Sequence, residues 1–167
     1  MTGRSGGNRR RLWVALGAMM ALALLPQSFC AERPEDIAIV VNPGVQLNNL
    51  TFEEVRSLLM GERQYWSAGL KVTLLIRAPA ASERDVLLKK VYRMNEAQFR
   101  QYWIAKVFRA EVNAGPKAVY SNQSAVELVG AIPGSVSFVA AARAPKTVKI
   151  LKIDGHLPGE KGYPLTP

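Results

Sequence analysis

Short apolar runs separated by helical patterns and turns extend through most of the chain, and this order constrains the fold more than any other feature. Runs rich in β-branched residues occupy 36–41, 70–76 and 135–139, and an alternating run at 147–153 has the pattern of an edge strand. The connections between elements are short. Strands that alternate with helices form a sheet covered on both faces, so the sequence predicts one α/β domain with three layers, α/β/α.

Polar residues mark the predicted helix starts, because their side chains accept the free N–H groups of a first helical turn. Four such residues precede helical apolar patterns: Thr51, Ser82, Asn95 and Ser121. At Thr51, a Glu three residues later completes the spacing of a capping box. The first of these helices is predicted to end at Gly61.

The predicted helix from Asn95 carries aromatic residues at helical spacing, namely Phe99, Tyr102, Trp103 and Phe108. Large aromatic side chains at this spacing are typical of a helix face that packs into a core. We therefore expect all four to be buried rather than to form a ligand platform.

The first 31 residues have the order of a secretory signal peptide. Four arginines and no acid precede residue 12, an uncharged apolar stretch covers 12–25, and Pro26 then interrupts it. That stretch is shorter than the roughly 20 residues needed to cross a bilayer, although an uncleaved anchor remains the alternative. The order predicts a signal peptide over 1–31, a mature domain over 32–167 without a stable membrane span, and a periplasmic or secreted location.

Charge and composition narrow the function classes. The chain has 22 Lys and Arg against 13 Asp and Glu, a net charge of +9, but without the four N-terminal arginines 18 basic residues remain and the net charge is +5. A small basic face at Lys89, Lys90 and Arg93 has no accompanying nucleic-acid-binding signature, so it is expected to be solvated and nucleic acid is not a predicted partner. One Cys and one His cannot build a structural zinc site, so no metal or cofactor is predicted.

The sequence also contains no recognisable set of catalytic residues. His156, the only His, lies in a predicted turn, and the sequence has no Gly-x-Ser-x-Gly motif to position a nucleophile. The sequence therefore predicts a protein that is not an enzyme.

Several segments, in their order, resemble one family. IAIVVNPGVQLNNLTFEEVRSLLMGERQYWSAGLKVTLLIR has a strand that ends in Asn-Pro, then Leu-Thr-x-Glu, a Gly-Glu pair, a Trp and a strand that ends in Arg. PGSVSFVAAARAPKTVKILKIDGHLPGEKGYPL ends in Tyr-Pro-Leu. Together, over about residues 36–165, they resemble the second lobe of the phosphate ABC transporter substrate-binding proteins. The resemblance implies a single α/β/α lobe of the type 2 periplasmic-binding-protein-like fold.

The resemblance also implies a candidate oxyanion site. In the family, the strand ending in Arg is followed by Gly-Ser-Gly-Thr, whose hydroxyl and N–H groups hold phosphate. Arg77 matches the family's Arg, but Ala81, Ser82 and Glu83 stand where the family has Ser, Gly and Thr. The implied ligands that remain are Arg77, Ser82 and a second donor, Arg84.

A purely structural interpretation of these residues is the alternative. Ser82 is then only the N-cap of its helix, and Arg77 pairs with Glu83 or Asp85. Glu83 adds negative charge in the first helical turn, where it would compete with a phosphate for the same donors.

Two functions follow from the resemblance. The first is a secreted, non-enzymatic binding or interaction module whose single lobe engages a protein partner or forms a homodimer, because one lobe lacks the opposing wall of the family's cleft. The second is a periplasmic solute-binding component that delivers phosphate or a related oxyanion to an ABC transporter.

Overall fold

The computed structural model describes residues 35–167, together with Thr2. The predicted signal peptide, residues 1–31, lies outside the described residues. Within the part that is described, no helix is long and apolar enough to cross a membrane.

Seven strands and four helices make up the described fold, with two 3₁₀ turns at 67–69 and 141–143. In chain order they are β1 Ile37–Val41, β2 Asn49–Leu50, α1 Phe52–Leu59, β3 Thr73–Arg77, α2 Ser82–Leu87, α3 Glu96–Phe108, β4 Lys117–Val119, α4 Asn122–Ala131, β5 Ser135–Ala140, β6 Lys149–Ile150 and β7 Lys152–Ile153. A π-helical turn, Leu88–Tyr92, extends α2.

The main sheet has the strand order β4-β3-β5-β1-β6. β3 runs parallel to β4 and β5, whereas β1 runs antiparallel to β5 and β6. β2 and β7 form a separate parallel pair. The carboxyl ends of β3, β4 and β5 therefore meet at one edge of the sheet.

Alternate residues of the central strands face two different cores. In β1, Ile37, Ile39 and Val41 pack with α1, α2 and α3, while Ala38 and Val40 pack on the side of α4. The sheet is therefore covered on both faces, and the predicted three-layer α/β/α architecture is confirmed.

Helix starts at Thr51, Asn95 and Ser121 are confirmed. Thr51 and Asn95 each complete a capping box, and Ser121 accepts a hydrogen bond from the backbone N–H of Ser124. The predicted N-cap at Ser82 is wrong, because Ser82 is already the first helical residue and Ala81 is the cap, with no side-chain hydrogen bond.

The predicted strand over 147–153 is divided in two. β6 pairs with β1 in the main sheet, whereas β7 pairs with β2. Leu151, between them, is fully buried and donates its N–H to the Ile39 carbonyl, so the chain changes sheets at this residue.

Burial along α3 corrects one prediction. Phe99 and Trp103 are buried and Tyr102 is partly buried, as expected, but Phe108 is 89% exposed. Phe108 follows the buried Phe99 by nine residues, about two and a half turns at ~3.6 residues per turn, so it lies on the opposite side of α3 from the core.

Gly61, predicted as the end of the first helix, has φ +68°, and a Cβ there would lie 2.6 Å from Cη2 of Trp103. We expect Gly61→Ala to lower the free energy of unfolding by about 2 kcal/mol, from left-handed strain and crowding of the core. The control is Gly155→Ala, where φ is +85° but no atom lies within 4 Å, so only the strain of about 1 kcal/mol applies. If urea denaturation gives equal losses of stability for Gly61→Ala and Gly155→Ala, Trp103 does not crowd position 61.

Candidate functional site

Arg77, the predicted anion ligand, is the last residue of β3 and lies where the carboxyl ends of the parallel strands meet. It pairs in register with Val119 of β4, which packs against α4. The Arg77 side chain is only 7% exposed, and its Nη1 donates to the Val119 carbonyl at 3.4 Å. The guanidinium is thus held inside the fold, next to the starts of α2 and α4.

Glu83 is the charged partner of Arg77. Its Oε2 lies 3.8 Å from Arg77 Nε, and its Oε1 accepts a hydrogen bond of 2.7 Å from Asn122 Nδ2. Glu83 is 6% exposed, so both charges of this pair are buried. A buried carboxylate that is paired and hydrogen-bonded avoids most of the desolvation cost of an isolated charge.

Two polar atoms in this cluster have no hydrogen-bond partner among the described residues. They are Nε of Arg77 and Oδ1 of Asn122, both buried. Buried polar atoms are usually partnered, so this cluster is not fully satisfied by its own side chains.

Arg84 faces away from this pair and binds three other groups. Its Nε and Nη2 hold the Glu96 carboxylate bidentately, at 2.9 and 2.8 Å, and its Nη1 donates to the Arg77 carbonyl at 2.6 Å. The guanidinium also lies 4.7 Å from the centre of the Phe99 ring. Arg84 is 6% exposed, so these contacts tie α2 to α3 and to the end of β3.

Ser82 is exposed at the start of α2. The structure therefore brings Arg77 and Arg84 together through the Arg77 carbonyl, and it does not bring the Ser82 side chain into the buried cluster. The predicted alternative in which Arg77 pairs with Glu83 is confirmed by their 3.8 Å contact.

Charge in the cluster is balanced. Arg77 and Arg84 contribute two positive charges, and Glu83 and Glu96 contribute two negative charges. An oxyanion that enters beside Arg77 must therefore displace the Glu83 carboxylate or bind without net positive charge.

Sequence analysis missed Asn122 and Glu96. Asn122 follows the Ser121 cap and lies far from Glu83 in sequence, so no local spacing connects them. Glu96 follows the Asn95 cap, and its position in the first turn of α3 has the ordinary explanation of an acid near a helix N-terminus. In residues 35–167, no group of three His, Cys, Asp or Glu side chains could hold a metal ion.

No protein-family model matches the sequence, and no curated protein matches it. Solved structures do match. An ABC-type phosphate transport receptor from Vibrio cholerae aligns with a TM-score of 0.60 at 21% identity, over 74% of this chain and 48% of its own. The chain has the fold of a phosphate-binding-protein lobe.

Two further structures give the same result. PstS from Borrelia burgdorferi aligns with a TM-score of 0.59 at 19% identity, over 74% of this chain and 49% of its own. A phosphate ABC transporter substrate-binding protein from Clostridium perfringens, solved with bound phosphate, aligns with a TM-score of 0.60 at 13% identity. The alignment covers 74% of this chain and 46% of its own. This chain thus spans about half the length of each phosphate-binding protein. The predicted resemblance and the predicted fold class are confirmed, and these neighbours are substrate-binding proteins rather than enzymes.

Proposed function

We propose that this protein is an exported, non-enzymatic interaction module that uses the fold of a phosphate-binding-protein lobe without binding phosphate. The observation that supports this most directly is the buried Glu83 carboxylate beside Arg77. Its two oxygens face a guanidinium and an amide donor, the groups that an external oxyanion would require.

A tethered carboxylate has a large advantage over a dissolved anion. Glu83 is fixed on α2 and is held near Arg77 without losing the translational freedom that a free phosphate loses on binding. It also supplies the negative charge that balances Arg77 in a buried environment. Phosphate must break this pair and displace Glu83 from Arg77 before it can bind.

The packing beside Arg77 supports a protein partner. Small-ligand sites usually bury 70–90% of the ligand surface, which requires walls on several sides around an open space. Glu83 and Asn122 take up the position beside Arg77 that such a ligand would need. A partner protein or a second copy can use a flat or convex surface, for which such enclosure is not needed.

The predicted export fits this function. The signal-peptide pattern at residues 1–31 directs the domain to the periplasm or the exterior. The neighbours in fold are substrate-binding proteins, which supports a binding role for this module.

A second function is favoured by one observation. The unpartnered Nε of Arg77 and the phosphate-related neighbours are compatible with an oxyanion-binding component of an ABC transporter. In that case Arg77, Ser82 and Arg84 are the proposed ligands of the anion. The Glu83 side chain would move away from Arg77, and Arg84 would break its ion pair with Glu96.

Calorimetric titration with phosphate and with sulfate separates the two functions. For the interaction module we expect no binding heat up to millimolar anion, because Glu83 competes for Arg77. Micromolar binding that disappears in Arg77→Ala would contradict the proposal and favour the transport component. Arg100→Ala, which removes an exposed arginine of α3, is the charge-matched control.

A further inference from the structure

A cavity of ≈ 240 Å³ lies near the amino end of β3, at the opposite end of this strand from Arg77. Residues 71–74 line it together with the segment 112–117, which leads into β4. β4 pairs with β3 only from Leu75 onward, which leaves space between these two segments. We name this space the β3 cavity. It is partly open to solvent, so a ligand can enter it without unfolding of the chain.

Much of the wall of the β3 cavity is apolar. Leu58, Trp103 and Val112 line it and are buried in the main core, and Val72 and Leu74 pack against the same core. An apolar cavity of about 150 Å³ can hold a benzene molecule. The β3 cavity therefore has room for one aromatic ring, or a branched chain of similar size, with a short polar arm.

The charge around the β3 cavity has one sign. Three basic residues line it, Arg63, Lys71 and Lys117, and none of its described lining residues is acidic. Arg63 already has a partner in Glu54, at 3.9 Å. Lys71 and Lys117 are exposed, and neither forms an ion pair or a side-chain hydrogen bond with any residue that the structure describes. A lysine carries its charge on a flexible stem, so both ammonium groups can turn towards an anion at the mouth of the cavity.

We infer that the β3 cavity binds a small organic carboxylate with an apolar body. The ring or branched chain lies against the apolar wall, and the carboxylate lies near Lys71 and Lys117. An inorganic anion is excluded, because an apolar wall cannot replace its hydration. An organic cation is repelled by the two unpaired lysines. This inference does not rest on the proposed interaction function, since the Arg77 and Glu83 pair lies at the other end of β3.

Two-dimensional ¹H–¹⁵N NMR with phenylacetate as the probe tests this inference. Trp103 lines the cavity, and its Nε1 is buried without a hydrogen-bond partner in the part of the chain that the structure describes. Trp66 does not line it, and its Nε1 donates to the Gly134 carbonyl at 2.8 Å. We expect phenylacetate to shift the indole N–H resonance of Trp103 with a Kd of about 1 mM or lower, and that of Trp66 much less.

Three related probes separate the contributions of ring and charge. 2-Phenylethanol keeps the ring without the charge and should bind about tenfold more weakly than phenylacetate. Acetate lacks the ring and 2-phenylethylammonium has the opposite charge, so neither should give a saturable shift. Inorganic phosphate should not compete with phenylacetate, because it has no apolar body.

Replacement of the two lysines tests the site of the carboxylate. Exposed ion pairs are individually weak, so Lys71→Gln and Lys117→Gln should each raise the Kd of phenylacetate about two- to fivefold, and the double variant about tenfold. The charge-matched control is Lys152→Gln, since Lys152 is an exposed lysine of β7 that does not line the cavity. It should leave the Kd unchanged. Circular dichroism checks that each variant remains folded.

Four results would overturn the inference. They are no saturable shift of Trp103 up to about 10 mM phenylacetate, equal affinity for 2-phenylethylammonium, competition by phosphate, and a loss of affinity in Lys152→Gln as large as in the double variant. None of them concerns Glu83. Conversely, phosphate binding that depends on Arg77 would refute the proposed function and leave phenylacetate binding in the β3 cavity unchanged.

Discussion

Replacement of Arg84 with Ala is expected to lower the free energy of unfolding by about 3 kcal/mol, from lost charge-assisted hydrogen bonds and lost packing. Arg84 makes two hydrogen bonds to Glu96 and one to the Arg77 carbonyl, and it stacks over Phe99. With Ala in its place, the Arg77 carbonyl loses this donor and a cavity opens between α2 and α3.

The exposure of Glu96 limits the loss. The Glu96 side chain is 35% exposed, so water can solvate its carboxylate after Arg84 is removed. The expected loss therefore lies at the lower end of the 3–5 kcal/mol that is typical of broken buried ion pairs. Removal of the Phe99 contact adds a smaller cation–π contribution.

Urea denaturation measures this effect. Arg100→Ala is the matched control, because Arg100 is exposed on α3, the helix that carries Glu96. Its removal should change the free energy of unfolding by less than about 0.5 kcal/mol. If Arg84→Ala lowers the free energy of unfolding by less than about 1 kcal/mol, the contacts of Arg84 do not stabilise the packing of α2 against α3.

Replacement of Glu83 with Ala is expected to cost a similar amount, about 3 kcal/mol, because it leaves the Arg77 charge buried without a counter-charge. Arg77 and Glu83 are 7% and 6% exposed, so solvent screens this pair only weakly. Asn122 Nδ2 also loses its acceptor. The double variant Arg77→Ala with Glu83→Ala removes both charges.

The double variant should be more stable than Glu83→Ala alone, since a buried charge without a partner costs more than an apolar gap. Thermal unfolding of the two variants measures this difference in stability. If Glu83→Ala is as stable as the unmodified protein, the Arg77 charge does not depend on Glu83.

Local features of the fold were predictable from the sequence. The Thr51 and Asn95 capping boxes and the turn at Gly61 each depend on residues within a few positions of one another. The strand predicted over 36–41 is β1, because a continuous β-branched run bounded by Asn-Pro-Gly has few other solutions.

Features that depend on distant residues were not predictable. Glu83 is buried and accepts a hydrogen bond from Asn122, which lies 39 residues away in the chain. The Ser82 prediction failed because α2 begins after Ala81, without a side-chain cap. Phe108 is an exception, because its position about two and a half turns after Phe99 already places it on the opposite side of α3, so its exposure follows from helical geometry.

The effect of phosphate on the melting temperature of Glu83→Ala tests the central claim most directly. If the Glu83 carboxylate takes the place of an anion beside Arg77, its removal creates an oxyanion site. Phosphate at ten times its dissociation constant would then stabilise Glu83→Ala by about 1.4 kcal/mol, a shift of several degrees. The unmodified protein and the Arg77→Ala, Glu83→Ala double variant should show no shift. No shift in Glu83→Ala, or a shift in the unmodified protein, would contradict this account.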